Sequence, residues 1–183
     1  MDPRDTQRLI GDLAREGTIA SVDRKAGTCT VKIAEELITG KIPWLCARIG
    51  KTRIWSPPSE GEQVLVLAPE ADTERAIVIG SLSSDAAPHP ASDGSTLIDF
   101  EDGARILYNP ESHQLSAVLP GGGKALINAP GGIHLIGSLT VEGDIDLLGK
   151  MTASGDISAD GKSLTGHKHT GVQAGGALSG PPQ

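Results

Sequence analysis

The chain has 183 residues, a formal net charge of -7, 24 glycines and only 2% aromatic residues. This length allows one or two structural units, and so few aromatic side chains exclude a large core built on Phe, Tyr and Trp. The negative charge argues against a general nucleic-acid binder, because such proteins present clustered Lys and Arg to the phosphates.

The N-terminal segment, residues 1–17, predicts a short amphipathic helix. Leu9, Ile10 and Leu13 recur at helical spacing among charged residues, and Gly17 follows as a stop signal. The segment lacks the apolar stretch of a signal peptide, and no part of the chain approaches the ~20 apolar residues of a membrane helix. We therefore expect a soluble protein made in the cytoplasm.

Residues 18–82 change to short alternating runs that are typical of β-strands and are separated by turn signals such as Pro57-Pro58. About five strands in a segment of this length favour a small closed or partly closed barrel, for which the OB-fold is the commonest solution. Positive and negative side chains balance here and aromatic residues are few. The barrel is therefore interpreted as a protein-docking scaffold and not as a nucleic-acid reader.

Two further segments follow the barrel. Residues 83–95 are rich in Ser, Pro, Ala and Asp and lack periodicity, which predicts a linker. Residues 96–130 alternate again and predict a β-meander with turns at Asp102-Gly103 and Asn109-Pro110. The acids near the first turn are interpreted as solvated and not as a cation site; they are Asp99, Glu101 and Asp102.

The two cysteines, Cys29 and Cys46, are seventeen residues apart and do not form a CxxC pair. This spacing indicates neither a zinc knuckle nor a disulfide framework. Both are interpreted as buried thiols.

Glycine recurs every six residues from Gly131 to Gly161, so that residues 131–165 form a hexad repeat. Apolar side chains occupy the second and fourth positions after each glycine, and mostly polar ones occupy the other positions. Because strand side chains alternate between two faces, each hexad predicts one strand with an apolar face and a glycine at its corner. The apolar pairs are Ile133 with Leu135, Leu139 with Val141, Ile145 with Leu147, Met151 with Ala153, and Ile157 with Ala159.

A single chain has too few hexads to build a stable solenoid. A triangular coil uses three hexads, and repeat folds generally need three or more stacked units. Three copies wound together instead supply three strands to every layer and enclose one apolar interior. We therefore predict a homotrimer with an intertwined, triple-stranded β-helix, which tapers because its inward side chains become smaller toward the C-terminus.

Residues 166–183 form the predicted apex and contain the motif GHKHT, in which His167 and His169 project to the same side of an extended segment. An isolated HxH motif is more often a chance pair of exposed histidines than a pair of metal ligands. On a three-fold axis, however, six imidazoles form an octahedral set that suits Fe(II) or Ni(II). We expect a metal-capped apex with one transition ion per trimer, and assign neither His113 nor His134 to the metal.

Enzymatic interpretations fit the pattern less well. Gly161-Lys162-Ser163 resembles the end of a phosphate-binding loop, but Asp156 replaces the glycine that such a loop requires. A hexapeptide-repeat acyltransferase, the alternative function, also has period six and a trimeric state with a catalytic histidine. Such enzymes need more coils and an aliphatic residue directly before the small residue of the repeat. This chain has Ile136, Glu142, Leu148, Ser154 and Asp160 there, so we expect no enzymatic activity.

The stretch from Ile42 to Leu82, which contains WSPPSEGEQVL, is followed by the hexads and the terminal HxH and resembles the baseplate assembly protein V family. This family provides the central spike of P2-like contractile phage tails, and R-type pyocins carry a similar spike. The resemblance implies an all-β protein with an OB-fold collar, a trimeric β-helix and an apex where His167 and His169 hold iron. Further ions occur at the apex in that family.

The resemblance also implies partners and a location. A spike of this kind assembles with baseplate hub and tail tube proteins and pierces the outer membrane of a target bacterium. It is made in the bacterial cytoplasm and resides in the baseplate of a phage or pyocin particle, with no nucleic-acid partner. Related spikes can carry a lysozyme domain, but the linker here is too short for one, so no catalytic residue is transferred.

Overall fold

The computed structural model of the chain describes residues 11–168, Gly171 and Gly175. The described part is built from β-strands, with helical residues only at 11–13 and in a 3-10 turn at Pro69–Ala71. The chain divides into two compact units, Met1–Leu126 and Ile127–Gln183. Over the described ranges, no helix is both long enough and apolar enough to span a bilayer.

The first unit contains a six-stranded antiparallel sheet with the path β3-β2-β1-β5-β6, in which β4 also pairs with β2. The strands are β1 (Ala14–Asp23), β2 (Thr28–Ala34), β3 (Leu37–Ile38), β4 (Ile42–Pro43), β5 (Gln63–Leu67) and β6 (Ile77–Ser81). After β4 the chain reaches Trp44, which forms a parallel bridge with Val78 of β6. This bridge joins the two edges of the sheet, so the sheet closes into the small barrel that the alternating pattern predicted.

Alternation along each strand supplies the barrel core. Ile19, Val31, Ile42, Val64 and Val66 are at most 2% exposed and pack together in one apolar cluster. Their burial removes branched aliphatic surface from water, which is the main favourable term in folding such a barrel. The predicted apolar faces of β1, β2, β4 and β5 are thereby confirmed.

Thr39 lies where the chain breaks between β3 and β4. Its amide donates to Val31 O at 2.9 Å, and its Oγ1 accepts from Val31 N at 2.9 Å. The buried hydroxyl therefore takes the place of a backbone acceptor where the ladder breaks, which satisfies the polar groups of β2.

The N-terminal segment differs from its prediction at the C-terminal end. Residues 14–17, assigned to the helix, belong to β1, because their backbone pairs with β5 over the register Ala14↔Leu67 to Gly17↔Val64. Gly17 is not a helix stop. A Cβ at this position would lie 2.5 Å from Val31 Cγ1, so glycine permits the close approach of β1 and β2. Residues 1–10, the rest of the predicted helix, lie outside the described residues.

The meander of the first unit is a second antiparallel sheet with the order β7-β8-β9. Its strands are β7 (Thr96–Asp99), β8 (Arg105–Asn109) and β9 (Gln114–Val118). Gly103 has a φ of 85° in the first turn, and Asn109 Oδ1 accepts from the amides of Glu111 and Ser112 at 2.8 and 3.0 Å in the second. Both turns therefore lie where the Asp-Gly and Asn-Pro signals predicted them.

The hexad repeat has a repeating backbone conformation. Gly137, Gly143 and Gly149 have φ values of 127°, 135° and 150°, a region that side-chain-bearing residues rarely adopt. No heavy atom lies within 4 Å of a Cβ built at these positions, so the dihedral angle and not crowding selects glycine within the chain. Residues 127–157, all of them described, form no strand pairs within the single chain.

The last predicted hexad does not continue the repeat. β10 (Ser158–Ala159) and β11 (Lys162–Ser163) form a hairpin in which Ala159 pairs with Lys162. Asp160 and Gly161, with φ values of 49° and 70°, are its two turn residues, as Asp-Gly favours in a tight hairpin. Gly161 is therefore a turn glycine and does not begin a further strand of the repeat, because the chain folds back on itself here.

Candidate functional site

The terminal hairpin brings Asp156 against the residues that precede the HxH motif. Asp156 Oδ1 accepts hydrogen bonds from Thr165 Oγ1 at 2.8 Å and from Thr165 N at 3.1 Å, and its Oδ2 accepts from Ser158 Oγ at 3.3 Å. Hydrogen bonding from Ser163 and then from Thr165 lowers the pKa of Asp156 to about 2. The carboxylate is thus ionised at neutral pH and ties the two ends of the hairpin together.

His167 follows this cluster, and its ring is oriented by the backbone. His167 N donates to Ser163 O at 3.1 Å, and His167 Nδ1 lies 2.9 Å from the same oxygen. Because a carbonyl oxygen only accepts, this contact requires a proton on Nδ1 and, in the neutral ring, leaves the lone pair on Nε2. Histidines that bind metals commonly have this arrangement, with one nitrogen on a carbonyl and the other on the metal.

The ligand set is incomplete within the described part of one chain. His169 lies outside the described residues, and among the residues that are described no group of three or more His, Cys, Asp or Glu is placed to hold a metal. The donor that is described, an imidazole oriented through Nδ1, fits a first-row transition ion. A complete site at this position needs His169, further copies of the chain, or both.

The other histidines are separated from this region in the sequence and have different surroundings. His89 lies in the linker with its Nε2 3.2 Å from Ser83 Oγ. His113 adopts a φ of 56° in the β8–β9 turn, and His134 is exposed in the first hexad. That His113 and His134 take no part in metal binding stays a prediction.

The three acids near the first turn of the meander are either hydrogen-bonded or exposed to solvent. Asp99 forms a bidentate ion pair with Arg105 at 2.5 and 2.7 Å, which lowers the pKa of Asp99. Asp102 Oδ1 accepts from Ala104 N at 3.0 Å in the turn, and Glu101 is exposed. Their arrangement is that of a charged hairpin turn and not of a converging cation site.

The cysteines differ from each other. Cys29 is 2% exposed in the barrel core, and burial, followed by the charge of Glu62, raises the pKa of its thiol. Cys46 is half-buried in the loop after β4. The buried-thiol interpretation is therefore confirmed for Cys29 and wrong for Cys46, because the chain leaves the core after Trp44.

Sequence reasoning missed the contacts that Asp156 makes beside the HxH motif. This residue occupies the first position of its hexad, where polar side chains point outward, and nothing at that position distinguishes it from Asp144. The available signal was Asp160-Gly161, whose hairpin turn brings residue 156 next to residue 165. Treating those residues as a repeat unit concealed this contact.

Two family profiles match the regions whose geometry is given above. Residues 15–82 match the Type VI secretion system/phage-baseplate injector OB domain, and residues 163–183 match the GpV apex motif. The predicted resemblance to the baseplate protein V family is confirmed. The first match coincides with the closed barrel, and the second begins in β11 and includes both His167 and His169.

The chain is also similar to the spike protein of Escherichia phage P2. It is 37% identical to this chain over 110 residues, which are 60% of the chain and 52% of the phage protein. The chain thus matches about half the length of this relative.

Proposed function

We propose that the chain is the structural spike at the centre of the baseplate of a contractile tail, in a phage or an R-type pyocin. It acts as a homotrimer whose hexads form an intertwined β-helix, and it pierces the outer membrane of a target bacterium. The work is mechanical, with no catalytic turnover. The OB domain and apex matches support a baseplate spike, and the exposure of the hexads supports the trimer.

The observation that carries this function is the exposure of the predicted inward side chains. In the single chain, Leu139, Ile145 and Leu147 are 70%, 72% and 57% exposed, and Ile133, Leu135, Val141 and Met151 are between 47% and 66% exposed. A row of aliphatic side chains is stable in water only when something covers it. The backbone of residues 127–157 also lacks strand partners within the chain, and copies of the chain supply both the cover and the partners.

The exposed fractions also distinguish two faces of the repeat. Ile136 and Leu148, which precede the corner glycines, are 91% and 101% exposed, whereas Ile145, the most exposed of the large inward side chains, is 72% exposed. In the proposed trimer, the less exposed face of the repeat lies inside and the more exposed face meets solvent.

The two units of the chain have different tasks. The barrel has the globular bulk for contact with the hub and tube proteins of the baseplate. In the second unit, His167 and His169 of the three chains bind one transition ion, iron first, with six imidazoles. The ion supplies structural cross-linking where the terminal residues, such as Ser163 and Thr165, bury little apolar surface.

The experiment that tests this function compares neighbouring leucines of one hexad. Leu147→Asp puts three carboxylates on the axis of the trimer, at a cost of several kcal/mol per ion, so this variant should fail to form trimers. Leu148→Asp changes a fully exposed side chain and should sediment as the wild type does. A monomeric wild type in analytical ultracentrifugation, or a trimeric Leu147→Asp variant, contradicts the proposal.

A further inference from the structure

The loop that follows β4 exposes an unusual combination of side chains. Residues 45–55, the basic loop, contain three cations and no acid, although the chain as a whole is acidic. Leu45, Ile49, Ile54 and Trp55 of this loop are 66%, 68%, 50% and 56% exposed. Exposed aliphatic and aromatic groups among arginines are typical of the central part of a protein–protein interface.

The basic loop is held in a fixed shape. Ile49 and Arg53 form an antiparallel bridge, and Ile54 N donates to Arg48 O at 2.9 Å. The ring of Trp55 lies 5.7 Å from that of Trp44, whose backbone closes the barrel. The loop therefore presents its apolar and basic side chains without needing to become ordered on binding, which lowers the entropic cost of an interface.

The cations of the basic loop have no acidic partner within the described part of the chain. No carboxylate of that part lies within ion-pairing distance of Arg48, Lys51 or Arg53, and Arg53 Nε donates instead to Gly50 O at 3.3 Å. An interface that suits this loop must supply both carboxylates and an apolar surface.

The meander sheet offers that surface. Residues 96–118, which form this sheet and its turns, contain four acids and one arginine, and the arginine is already paired with Asp99. Ile98, Ile106 and Leu115 are 56%, 45% and 73% exposed in the sheet, although the first two are directly paired across strands. Phe100, Ala104, Ile106 and Leu119 line a shallow apolar depression, together with Glu101, Asp102 and Arg105.

Both surfaces belong to the first unit and lie near the same end of its barrel. Glu101 of the meander shares a recess with Asp23, Arg24 and Ser59, and Ser59 follows the basic loop closely in the chain. Each surface remains exposed in the single chain. In a ring of copies, two different surfaces at one level can meet head to tail and close the ring.

We propose that the basic loop of one copy docks on the meander sheet of the next, with Lys51 and Arg53 facing Glu101 and Asp102 and with Ile54 and Trp55 against the apolar depression. This contact rests on the proposed trimer and names the surfaces that would join its collars, separately from the hexads. The occupant is a second copy because this chain itself supplies the complementary charge and apolar area.

Zero-length cross-linking of the full-length protein tests the contact directly. A carbodiimide joins an amine to a carboxylate only when the two touch, so we expect a Lys51–Glu101 or Lys51–Asp102 peptide by mass spectrometry. Co-refolding light and nitrogen-15-labelled chains should give mixed-isotope pairs, which identify the link as one between copies. Lys51→Arg keeps the charge but removes the reactive amine, so it should lose this link and still sediment as a trimer.

Charge exchange gives a second readout. Lys51→Glu with Arg53→Glu, and separately Glu101→Lys with Asp102→Lys, should each lower the melting midpoint of the first unit, and the four changes together should restore it. Glu35→Lys with Glu36→Lys, in the turn between β2 and β3, is the matched acidic control and should restore nothing.

The outcomes separate this contact from the function on which it rests. A trimeric protein in which Lys51 links only within its own chain or to other carboxylates, or in which the combined variant is not rescued, overturns the docking surfaces and leaves the spike intact. A full-length wild type that is monomeric overturns both.

Discussion

The Ser163 carbonyl accepts from both the amide and the ring of His167, and Asp156 accepts hydrogen bonds from Ser163 and Thr165. These contacts are within one chain, so the imidazole is oriented before any second copy arrives. Pre-orientation of this kind raises metal affinity, because less freedom is lost when the ion binds.

Replacing the two motif histidines should therefore remove the ion and spare the rest of the molecule. We expect His167→Ala with His169→Ala to lose one transition ion per trimer in elemental mass spectrometry and to loosen the apex. His134→Ala, which removes an exposed imidazole from the first hexad, should retain the ion. Acid that protonates imidazole should also release it, because only the neutral ring binds metal. A wild-type trimer without metal contradicts the site.

The lowered pKa of Asp156 predicts a second effect of acid, over a lower pH range. Its pKa is lowered to about 2 from an ordinary value of 3.8, so its contribution to the stability of the hairpin is complete above pH ~4 and is lost as the pH falls toward ~2. The amide of Thr165 should lose protection from hydrogen exchange over that interval. Asp156→Asn keeps an acceptor without the charge and should show no such pH dependence. Equal pH dependence in both proteins would rule out this role for the carboxylate.

At the scale of elements, the hexads depend on the conformation of their corner glycines. Gly143→Ala forces a side chain into a φ of 135°, which costs about 1–3 kcal/mol per chain. Gly155 also begins a hexad and also has no atom within 4 Å of an added Cβ, but it is not among the positive-φ glycines. We therefore expect Gly143→Ala to lower the thermal midpoint of the hexad repeat and Gly155→Ala to leave it nearly unchanged. Equal effects would indicate crowding by neighbouring copies instead.

The Asp160-Gly161 hairpin shows how local turn chemistry ends a repeat. The hexad pattern continues through these residues, but two consecutive positive-φ positions allow the chain to reverse and to pair Ala159 with Lys162. Pairing within the chain gives hydrogen-bond partners to backbone N–H and C=O groups. In a further strand of the repeat, these groups would need partners from other copies. The terminal unit of a repeat array commonly differs from the others for this reason.

At the scale of the whole molecule, the two units have different sources of stability. The barrel has its own buried core, whereas the hexads expose theirs in the single chain. We expect two transitions in calorimetry of the trimer. Val64→Ala should lower only the barrel transition, by roughly 2 kcal/mol per chain. Lowering the protein concentration should lower the transition temperature of the hexad repeat, because folding of the repeat is coupled to association of the chains. One concentration-independent transition would contradict this division.

The sequence by itself determined the alternating strands of the barrel, the turns of the meander and the period of the repeat. These features depend on short-range chemistry, since a period of two, an Asp-Gly turn or a glycine every six residues acts within a few positions. The resemblance to the baseplate assembly protein V family and the HxH motif could likewise be read from short contiguous stretches of sequence.

Only the tertiary structure decided how distant residues meet. It showed that Ala14–Gly17 extend β1, because pairing with β5 outweighs the local helical pattern. It also showed that Trp44 closes the barrel against Val78 and that Asp156 holds Thr165 across the terminal hairpin. Each of these contacts joins residues that are separated along the chain, and the free energy of such pairings depends on the folded arrangement of both partners, which no local pattern encodes.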